Sequence, residues 1–350
     1  MDLNALEEAL RGKDLVQEKI DFYISYANKL KMKNVPVIFD LEHLRQLLQI
    51  KKEAFVKIYY GVEHQYHYTY IPKNKDYNRT AISYSHDNTD YFRKLSLPSI
   101  KLKYIQRWIL DNILYNIPVH DTAYGFIPNK STITNACEHI GKEFLFKTDI
   151  KDFFPSISSK RVYGLFRYIG YNKSVSLALT KFCTYQNELP QGAPTSPYIS
   201  NLICRKLDHR INELCKKHKL KYSRYADDIT VSGGRKLQAI VPLIKEIVKT
   251  EDFSLNTEKT RIVHNSYKQK VTGVIVNQKA SVPKELYRDI RQAIYYMRKF
   301  GVSSHLEWTK LYGKSNVKAY YYGLVNYCNM IDPVKGKKLY KELNQINWNS

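Results

Sequence analysis

The chain has 350 residues, with 56 Lys+Arg against 33 Asp+Glu and a formal net charge of +23. An excess of that size points to a polyanionic partner. No stretch approaches the roughly 18 uninterrupted apolar residues of a membrane span, so nucleic acid is favoured over a bilayer.

The length allows two or three lobes with proper cores. The five cysteines, Cys137, Cys183, Cys204, Cys215 and Cys328, include no Cys-x-x-Cys pair. Free buried thiols in a reducing compartment are expected. Cys215 and His218 have ligand-like spacing, but no second pair completes a zinc site. The N-terminus lacks a basic region followed by an apolar core, so it does not read as a signal peptide. A cytoplasmic location is expected.

In chain order, residues 3–32 carry Leu3, Leu6, Leu10, Leu15, Ile20 and Ile24 among charges, a helical pattern. Residues 40–60 predict a second helical unit, with Asp40 as N-cap and Leu41, Leu44, Leu47 and Leu48 on its apolar face. His64, Tyr66, His67, Tyr68 and Tyr70 follow a strand pattern, and the segments at Asp76 and His86 are rich in turn residues. Pro98 opens an amphipathic helix through Ile105, Trp108, Ile109, Ile113 and Leu114. Residues 121–131 read as loop, and Ser131 or Thr132 caps a helix that carries Asn135 and His139 on one face. Helices are expected over 160–169 and 173–183, then a long one from Ser196 through Leu202, Ile203, Leu207, Ile211 and Leu214, packed behind a hairpin. Residues 240–248 predict another helix, and 259–276 a strand pair. Pro283 starts a helix through Leu286, Ile290, Ile294 and Met297. From 281 to 350 there are 12 Lys+Arg, 5 Asp+Glu and 12 aromatic residues. Rings interleaved with basic charge suit a nucleic-acid groove, although about half of these rings are expected to be core.

The acids carry the chemistry. Tyr225-Ala226-Asp227-Asp228 lies between two short runs rich in β-formers. Consecutive side chains of a regular strand point to opposite faces, but at a tight hairpin tip that alternation breaks. Asp-Asp is also a common turn pair. A third acid in a matching context favours a site: Phe144, Leu145 and Phe146 form an apolar strand ending at Asp149, and Pro155 stops it. A strand-end carboxylate beside a hairpin-tip pair suits hard divalent cations, which take oxygen ligands.

At these residues the chain resembles reverse transcriptases. Asp149 is similar to the first catalytic acid of the palm, and Tyr225 to Asp228 to the family's hairpin. Gln191-Gly192-Ala193-Pro194-Thr195-Ser196-Pro197 resembles the segment that contacts template and incoming nucleotide. Leu255-Asn256-Thr257-Glu258-Lys259-Thr260 resembles the motif carrying a lysine near the leaving pyrophosphate. Arg93-Lys94-Leu95-Ser96-Leu97-Pro98 looks like the fingers motif whose Arg grips the triphosphate. Asn135-Ala136-Cys137-Glu138-His139 and Val271-Thr272-Gly273 look like patterns of the retron subfamily.

The resemblance implies an α+β right-hand polymerase. Fingers would lie in 1–143, palm in 144–280 with a fingers insertion at 160–190, and a helical RNA-binding thumb in 281–350. It implies two Mg²⁺ ions on Asp149, Asp227, Asp228 and the Ile150 carbonyl. Arg93, Lys94, Gln191, Gly192 and Lys259 would contact a deoxynucleoside triphosphate, and Phe154 would be the steric gate beneath its sugar. Either Phe153 or Phe154 is expected to be core. Asn135, His139, Val271, Thr272, Gly273, Tyr320, Tyr321 and Tyr322 are the expected RNA contacts, with hydrogen bonding inside the fold as the alternative for His139. The expected partners are a cognate structured RNA, its cDNA product and an effector protein, in anti-phage defence. No membrane partner and no RNase H domain are expected. The alternatives are a group II intron or diversity-generating enzyme, or a non-catalytic RNA-binding scaffold.

Overall fold

The computed structural model describes residues 3–13, 15–72, 92–309 and 316–348. The turn-rich segments expected at Asp76 and His86 lie outside the described residues. The first helical stretch is two helices, α1 (Leu3–Arg11) and α2 (Gln17–Lys31). Only α2 fully buries side chains, Ile20, Ala27 and Leu30, so the leucines of α1 are half-buried rather than core. The Asp40 carboxylate accepts the His43 N–H at 2.8 Å and so starts α3 (Leu41–Leu47). Gln49, at φ 54, separates α3 from α4 (Lys52–Tyr60), so the second unit is also a pair.

Strands β1 (Tyr66–Pro72) and β2 (Phe92–Pro98) pair antiparallel, Tyr66 opposite Pro98. Pro98 ends β2 rather than opening a helix: the Ser99 hydroxyl caps α5 (Ile100–Asn112) by accepting the Leu102 N–H. Ser131 caps α6 (Thr132–Cys137) in a reciprocal box with Thr134. Then come β3 (Phe144–Asp149), α7 (Ser159–Ile169), α8 (Lys173–Cys183) and α9 (Ser196–Ile203). The long helix expected from Ser196 breaks at Cys204 and resumes as α10 (Arg205–Lys217). Next are β4 (Lys221–Tyr225), β5 (Asp228–Gly233), α11 (Lys236–Thr250) and β6 (Arg261–His264). β7 (Lys270–Val271) and β8 (Val274–Ile275) form their own hairpin. The expected strand pair over 259–276 is therefore divided, because β6 joins the central sheet in the order β4-β5-β3-β6. Helices α12 (Lys284–Phe300), α13 (Val302–Thr309), α14 (Val317–Ile331) and α15 (Pro333–Leu343) complete the chain. Helices with small antiparallel sheets make the fold α+β, the class of a right-hand polymerase.

The chain falls into two compact units. One contains Met1–Asp121, Ile150–His209 and Val248–Ser254, and holds β1, β2 and the helices α1 to α5 and α7 to α9. The other contains Thr122–Asp149, Arg210–Ile247 and Leu255–Ser350, and holds the four-stranded sheet, α6 and the C-terminal helices. In this second unit Leu145 of β3 shares one core with Val271, Val274, Ile290, Ile294, Val325 and Leu339. The divisions read from sequence at 143/144 and 280/281 do not coincide with these units, since that core crosses both.

Candidate active site

The second unit builds the acidic site from a strained hairpin. Tyr225 pairs with Asp228, leaving Ala226 and Asp227 as a two-residue turn. Ala226 has φ 58, a region that a Cβ disfavours by roughly 1 kcal/mol. Buried neighbours hold the turn there. Arg224 is fully buried, and its Nη1 donates to the Ala226 carbonyl at 2.9 Å. The Arg224 N–H donates to Thr122 O at 2.9 Å, and Arg224 O accepts the Tyr124 N–H at 2.8 Å. The segment 122–125 thus runs beside β4 as an extra parallel partner through Ala123. A Cβ on Gly125 would stand 2.5 Å from the Ala226 nitrogen, so only glycine lets the segment lie this close.

The hairpin sets Asp228 at the end of β3, with Asp227 next to it in the turn. Asp149 is directly opposite Asp228 across the β3–β5 ladder. Asp149 is buried, while Asp227 and Asp228 are half-buried. Like charges directly opposite are unfavourable. Burial pushes the Asp228 carboxyl above its ordinary range; Lys147 opposes the shift, and the charges of Asp227 and Asp149 add to it. Lys259 supplies a counter-charge, its Nζ 3.2 Å from Asp149 Oδ2. The loop carrying Lys259 is tied to the strand end: the Asn256 N–H donates to Asp149 O at 2.8 Å. The Thr260 hydroxyl donates to Asn256 O at 2.7 Å. Its single proton is spent there, so at the 2.7 Å contact between the two hydroxyls Thr148 is the donor. A cavity of about 190 Å³ opens here, lined by Lys147, Thr148, Asp149, Asp228, Glu258, Lys259 and Arg261.

Asp149 and Asp228, in enforced cross-strand register, offer the oxygen donors that hard divalent cations take; among the described residues no three His, Cys, Asp or Glu side chains converge closely enough to hold a metal as they stand. Burial does most to raise Asp228, and the smaller share that comes from Asp227 and Asp149 is repulsion of the kind a bound cation would relieve. Sequence reasoning missed Arg224, which supports the turn, and Lys147, which stands two residues before Asp149 on the same strand face. Burial lowers the Lys147 pKa; Asp228 pulls it back, and Arg261 and Lys270 add to the lowering. The spacing of Lys147 to Asp149 was visible in the sequence, but the pairing that sets Arg261 opposite Lys147 was not.

Of the residues expected at the nucleotide, Lys259 lies in the second unit and Arg93, Lys94, Phe154, Gln191 and Gly192 in the first. Arg93 and Lys94 are exposed on β2, and the Lys94 ammonium sits 3.7 Å from the Tyr68 ring centroid. The Ser96 N–H donates to Gln191 O at 2.7 Å, so the Gln191-Gly192 segment runs against β2. Gly192 has φ 128, and a Cβ there would lie 2.7 Å from Ser96 O. The close approach expected at Gly192 is thus made to this chain's own strand. The strand ends at Asp149, before Pro155, and 151–156 are turn, with Asp152 at φ 48. Strand alternation therefore does not orient the two phenylalanines. Phe153 is nonetheless buried and Phe154 half-buried, with ring centroids 5.4 Å apart. Ile150 is buried at the end of β3.

The retron-like patterns meet inside the second unit. Asn135 Nδ2 is 3.5 Å from Thr272 Oγ1, and the Thr272 hydroxyl donates to Thr132 O at 2.7 Å. Gly273 has φ 91 and leaves no room for a Cβ beneath the Tyr327 hydroxyl. His139 lies beyond the end of α6 and is fully buried. Its Nδ1 bonds Ser232 Oγ and its Nε2 bonds Ser223 Oγ, each at 2.7 Å, so the ring ties together both strands of the acidic hairpin. Burial, with nearby lysines, pushes its pKa down to about 3. Asn135, His139 and Val271 are inside the fold and present nothing to an RNA; for His139 the internal hydrogen-bonding alternative is the one seen. Tyr321 is buried too, bonded to His305 Nε2 at 2.8 Å, whereas Tyr320 is exposed and Tyr322 half-buried. Of the five thiols four are buried, but Cys137 is exposed. Among the described residues no helix is long and apolar enough to cross a membrane.

Fold and acids together define a nucleotidyl-transferring polymerase. A family profile described as "Reverse transcriptase (RNA-dependent DNA polymerase)" matches residues 71–276. The chain is 34% identical over 287 residues to the retron Ec86 reverse transcriptase of Escherichia coli, covering 81% of this chain and 86% of that one. It is 33% identical to the retron Mx162 reverse transcriptase of Myxococcus xanthus, over 73% of this chain and 58% of the relative. With the retron Mx65 reverse transcriptase of the same organism it shares 32% identity, over 71% and 60%. The chain thus spans under two thirds of both Myxococcus relatives. It belongs to the reverse transcriptase family, in its retron branch, and is an RNA-directed DNA polymerase.

Proposed function

We propose that this enzyme copies one structured non-coding RNA, priming from a 2′-hydroxyl of that RNA to give a branched RNA–DNA product. The observation that carries the polymerase chemistry is the register of Asp149 with Asp228, beside Asp227 in its buttressed turn. The RNA and the branched product are proposed on the chain's kinship with retron reverse transcriptases. In this reading Asp149, Asp227 and Asp228 hold two Mg²⁺ ions with help from the Ile150 carbonyl. Bound there, such ions would supply charge neutralisation for the attacking and leaving oxygens.

The chain's own groups do the rest. Arg93 and Lys94 grip the triphosphate of the deoxynucleotide, Arg93 through a bidentate fork. Gln191 and Gly192 contact the base-paired substrate. Phe154 excludes a 2′-hydroxyl, and Lys259 neutralises the leaving pyrophosphate. Residues 1–143 act as fingers, 144–280 as palm with an insertion at 160–190, and 281–350 as an RNA-binding thumb. Thr272, Gly273, Tyr320 and Tyr322 are the RNA contacts that this burial pattern leaves in place. The basic charge suits RNA and cDNA as partners in the cytoplasm. An effector protein and a role in anti-phage defence complete the reading by kinship with retrons.

Primer extension on an annealed RNA template with Mg²⁺ tests the core of it. Asp227→Asn removes charge without changing shape, so extension is expected to fall by at least about a thousandfold while RNA binding persists. Activity of the variant within about tenfold of the parent would sink the assignment of Asp227 to the metal site, whereas absence of extension by the parent itself would leave an RNA-binding scaffold. A labelled product that keeps a branched ribonucleotide after RNase digestion checks the priming. An unbranched product would remove the 2′-hydroxyl from the reading.

A further inference from the structure

A second cavity of about 250 Å³ in the same unit is lined by Leu145, Lys147, Arg261, Val263, Lys268 and Lys270. Sheet register puts these groups together. Leu145, Lys147 and Asp149 alternate onto one face of β3. Across the β3–β6 ladder Val263 is opposite Leu145, and Arg261 is opposite Lys147. Leu145 is buried in the core with Val271 and Val274, so the floor of the cavity is packed. Lys270 opens β7.

The charges are not balanced from within. Lys268 already has a partner, its Nζ 2.9 Å from Glu285. The side chains of Lys147, Arg261 and Lys270 make no ion pair or hydrogen bond among the described residues. Like charges directly opposite on a sheet are destabilising, and a half-buried ammonium without an acceptor adds to the cost. The nearest acids are Asp149 and Asp228, which share the adjoining cavity with Lys147, Arg261 and Glu258. Those two aspartates already face each other as like charges. Three cations on a rigid sheet, of which only Lys147 is partly offset by Asp228 and Asp149, and one of them a guanidinium able to fork onto two oxygens, match a multiply charged oxyanion.

We propose that Lys147, Arg261 and Lys270 form a phosphate-binding site beside the acidic cluster, distinct from Lys259. Its ligand is a phosphate group, either of a nucleic-acid strand or of free pyrophosphate. The site stands on the geometry of these cations, whether or not the carboxylates hold metal.

Calorimetry on the whole protein in EDTA, where no metal-dependent chemistry contributes, tests it with two probes: inorganic pyrophosphate and a short RNA–DNA duplex. Arg261 and Lys270 are exposed, so Arg261→Ala with Lys270→Ala is expected to fold, which the melting temperature checks. That double variant should weaken at least one probe by about tenfold or more, the loss expected for a charge-assisted hydrogen bond. Two comparison proteins fix the meaning: Lys216→Ala with Lys217→Ala, which removes equal charge from α10, and Lys259→Ala. Loss of pyrophosphate affinity assigns free polyphosphate. Loss of duplex affinity, with a salt slope shallower by about two, assigns strand phosphates. Unchanged affinity for both probes in the folded variant overturns the proposal, and so does an equal loss in the charge-matched α10 variant.

Discussion

Asp228 shows at the residue scale what it costs to bring carboxylates together at a strand end. Its carboxyl is held up first by burial and then by two neighbouring carboxylates, and the ammonium groups of Lys147 and Lys259 only partly offset this. The Lys259–Asp149 contact adds little stability, because the lysine is largely exposed. Its value is to keep a cation at the strand end. Phe154 is the residue whose role can be read apart from overall speed. Its ring is half-buried against Phe153, which itself packs on Phe253 with centroids 6.1 Å apart. Phe153 thus serves as the core anchor, and the proposed sugar contact falls to the half-buried Phe154. Phe154→Ala is expected to raise the ratio of ribonucleotide to deoxynucleotide incorporation by about tenfold or more, since an unpaired buried hydroxyl costs on the order of 1–3 kcal/mol. Single-nucleotide incorporation kinetics measure this. An unchanged ratio in a protein of normal melting temperature would make Phe154 a packing residue.

Among the elements, the β4–β5 hairpin depends on neighbours outside its own sequence. The segment 122–125 can lie under the turn only because residue 125 has no Cβ. Gly125→Ala should therefore push the Ala226–Asp227 turn outward and lower extension by about tenfold or more, since small misplacements of reacting groups are costly. Stability should change by only about 1–2 kcal/mol. Normal extension by this variant would show that the turn tolerates displacement. His139 clamps the same hairpin from below. Above pH 6.5 its ring is neutral both folded and unfolded, so the clamp is at full strength. As pH falls from 6.5 towards about 3 the unfolded chain takes up a proton that the buried ring refuses. Stability is then lost by roughly 1.4 kcal/mol per pH unit through this one group. Urea midpoints at pH 7 and pH 5 should differ more for the parent than for His139→Gln. Equal differences would mean that the ring is not held neutral. Much of the hairpin was legible in sequence, because Tyr225 to Asp228 and the strand before Asp149 announce themselves by composition and by a ligand-like spacing of acids. Its support was not. Arg224 reads as one more surface cation in a strongly basic chain, and for His139 the sequence leaves RNA contact and hydrogen bonding inside the fold both open. Only pairings across 84 and 93 residues, His139 with Ser223 and Ser232, show that the ring is internal. The breaks at Gln49 and Cys204 were also hidden, since apolar spacing runs through both and the interruption is a backbone event.

For the whole molecule, a net charge of +23 predicts binding to RNA of any sequence at low salt. Specific recognition has to come from groups that do more than neutralise phosphate, and exposed rings are the available kind. Burial redistributes the candidates in 281–350. Tyr321 belongs to the core with His305, and replacing it would test folding rather than RNA contact. On α12 and α13, Tyr295, Phe300 and Trp308 are 55%, 53% and 72% exposed, more than Tyr320 at 38%. The Lys299 ammonium lies 5.7 Å from the Tyr295 ring centroid and 5.2 Å from that of Phe300, so charge and stacking surface occur together. Stacking contributes on the order of 1–3 kcal/mol per base and survives salt that screens phosphate contacts. Tyr295→Ala with Trp308→Ala should therefore shrink the preference for the cognate RNA over an unrelated hairpin by about tenfold or more at roughly 0.3 M salt. Extension on an artificial annealed primer should fall far less, and the melting temperature should hold, because neither ring is buried. Tyr320→Ala should act in the same direction with a smaller effect. Equal loss of cognate and unrelated binding would make these rings general nucleic-acid contacts. Loss of neither would move recognition elsewhere, to the half-buried Thr272 and Gly273 or to Tyr322.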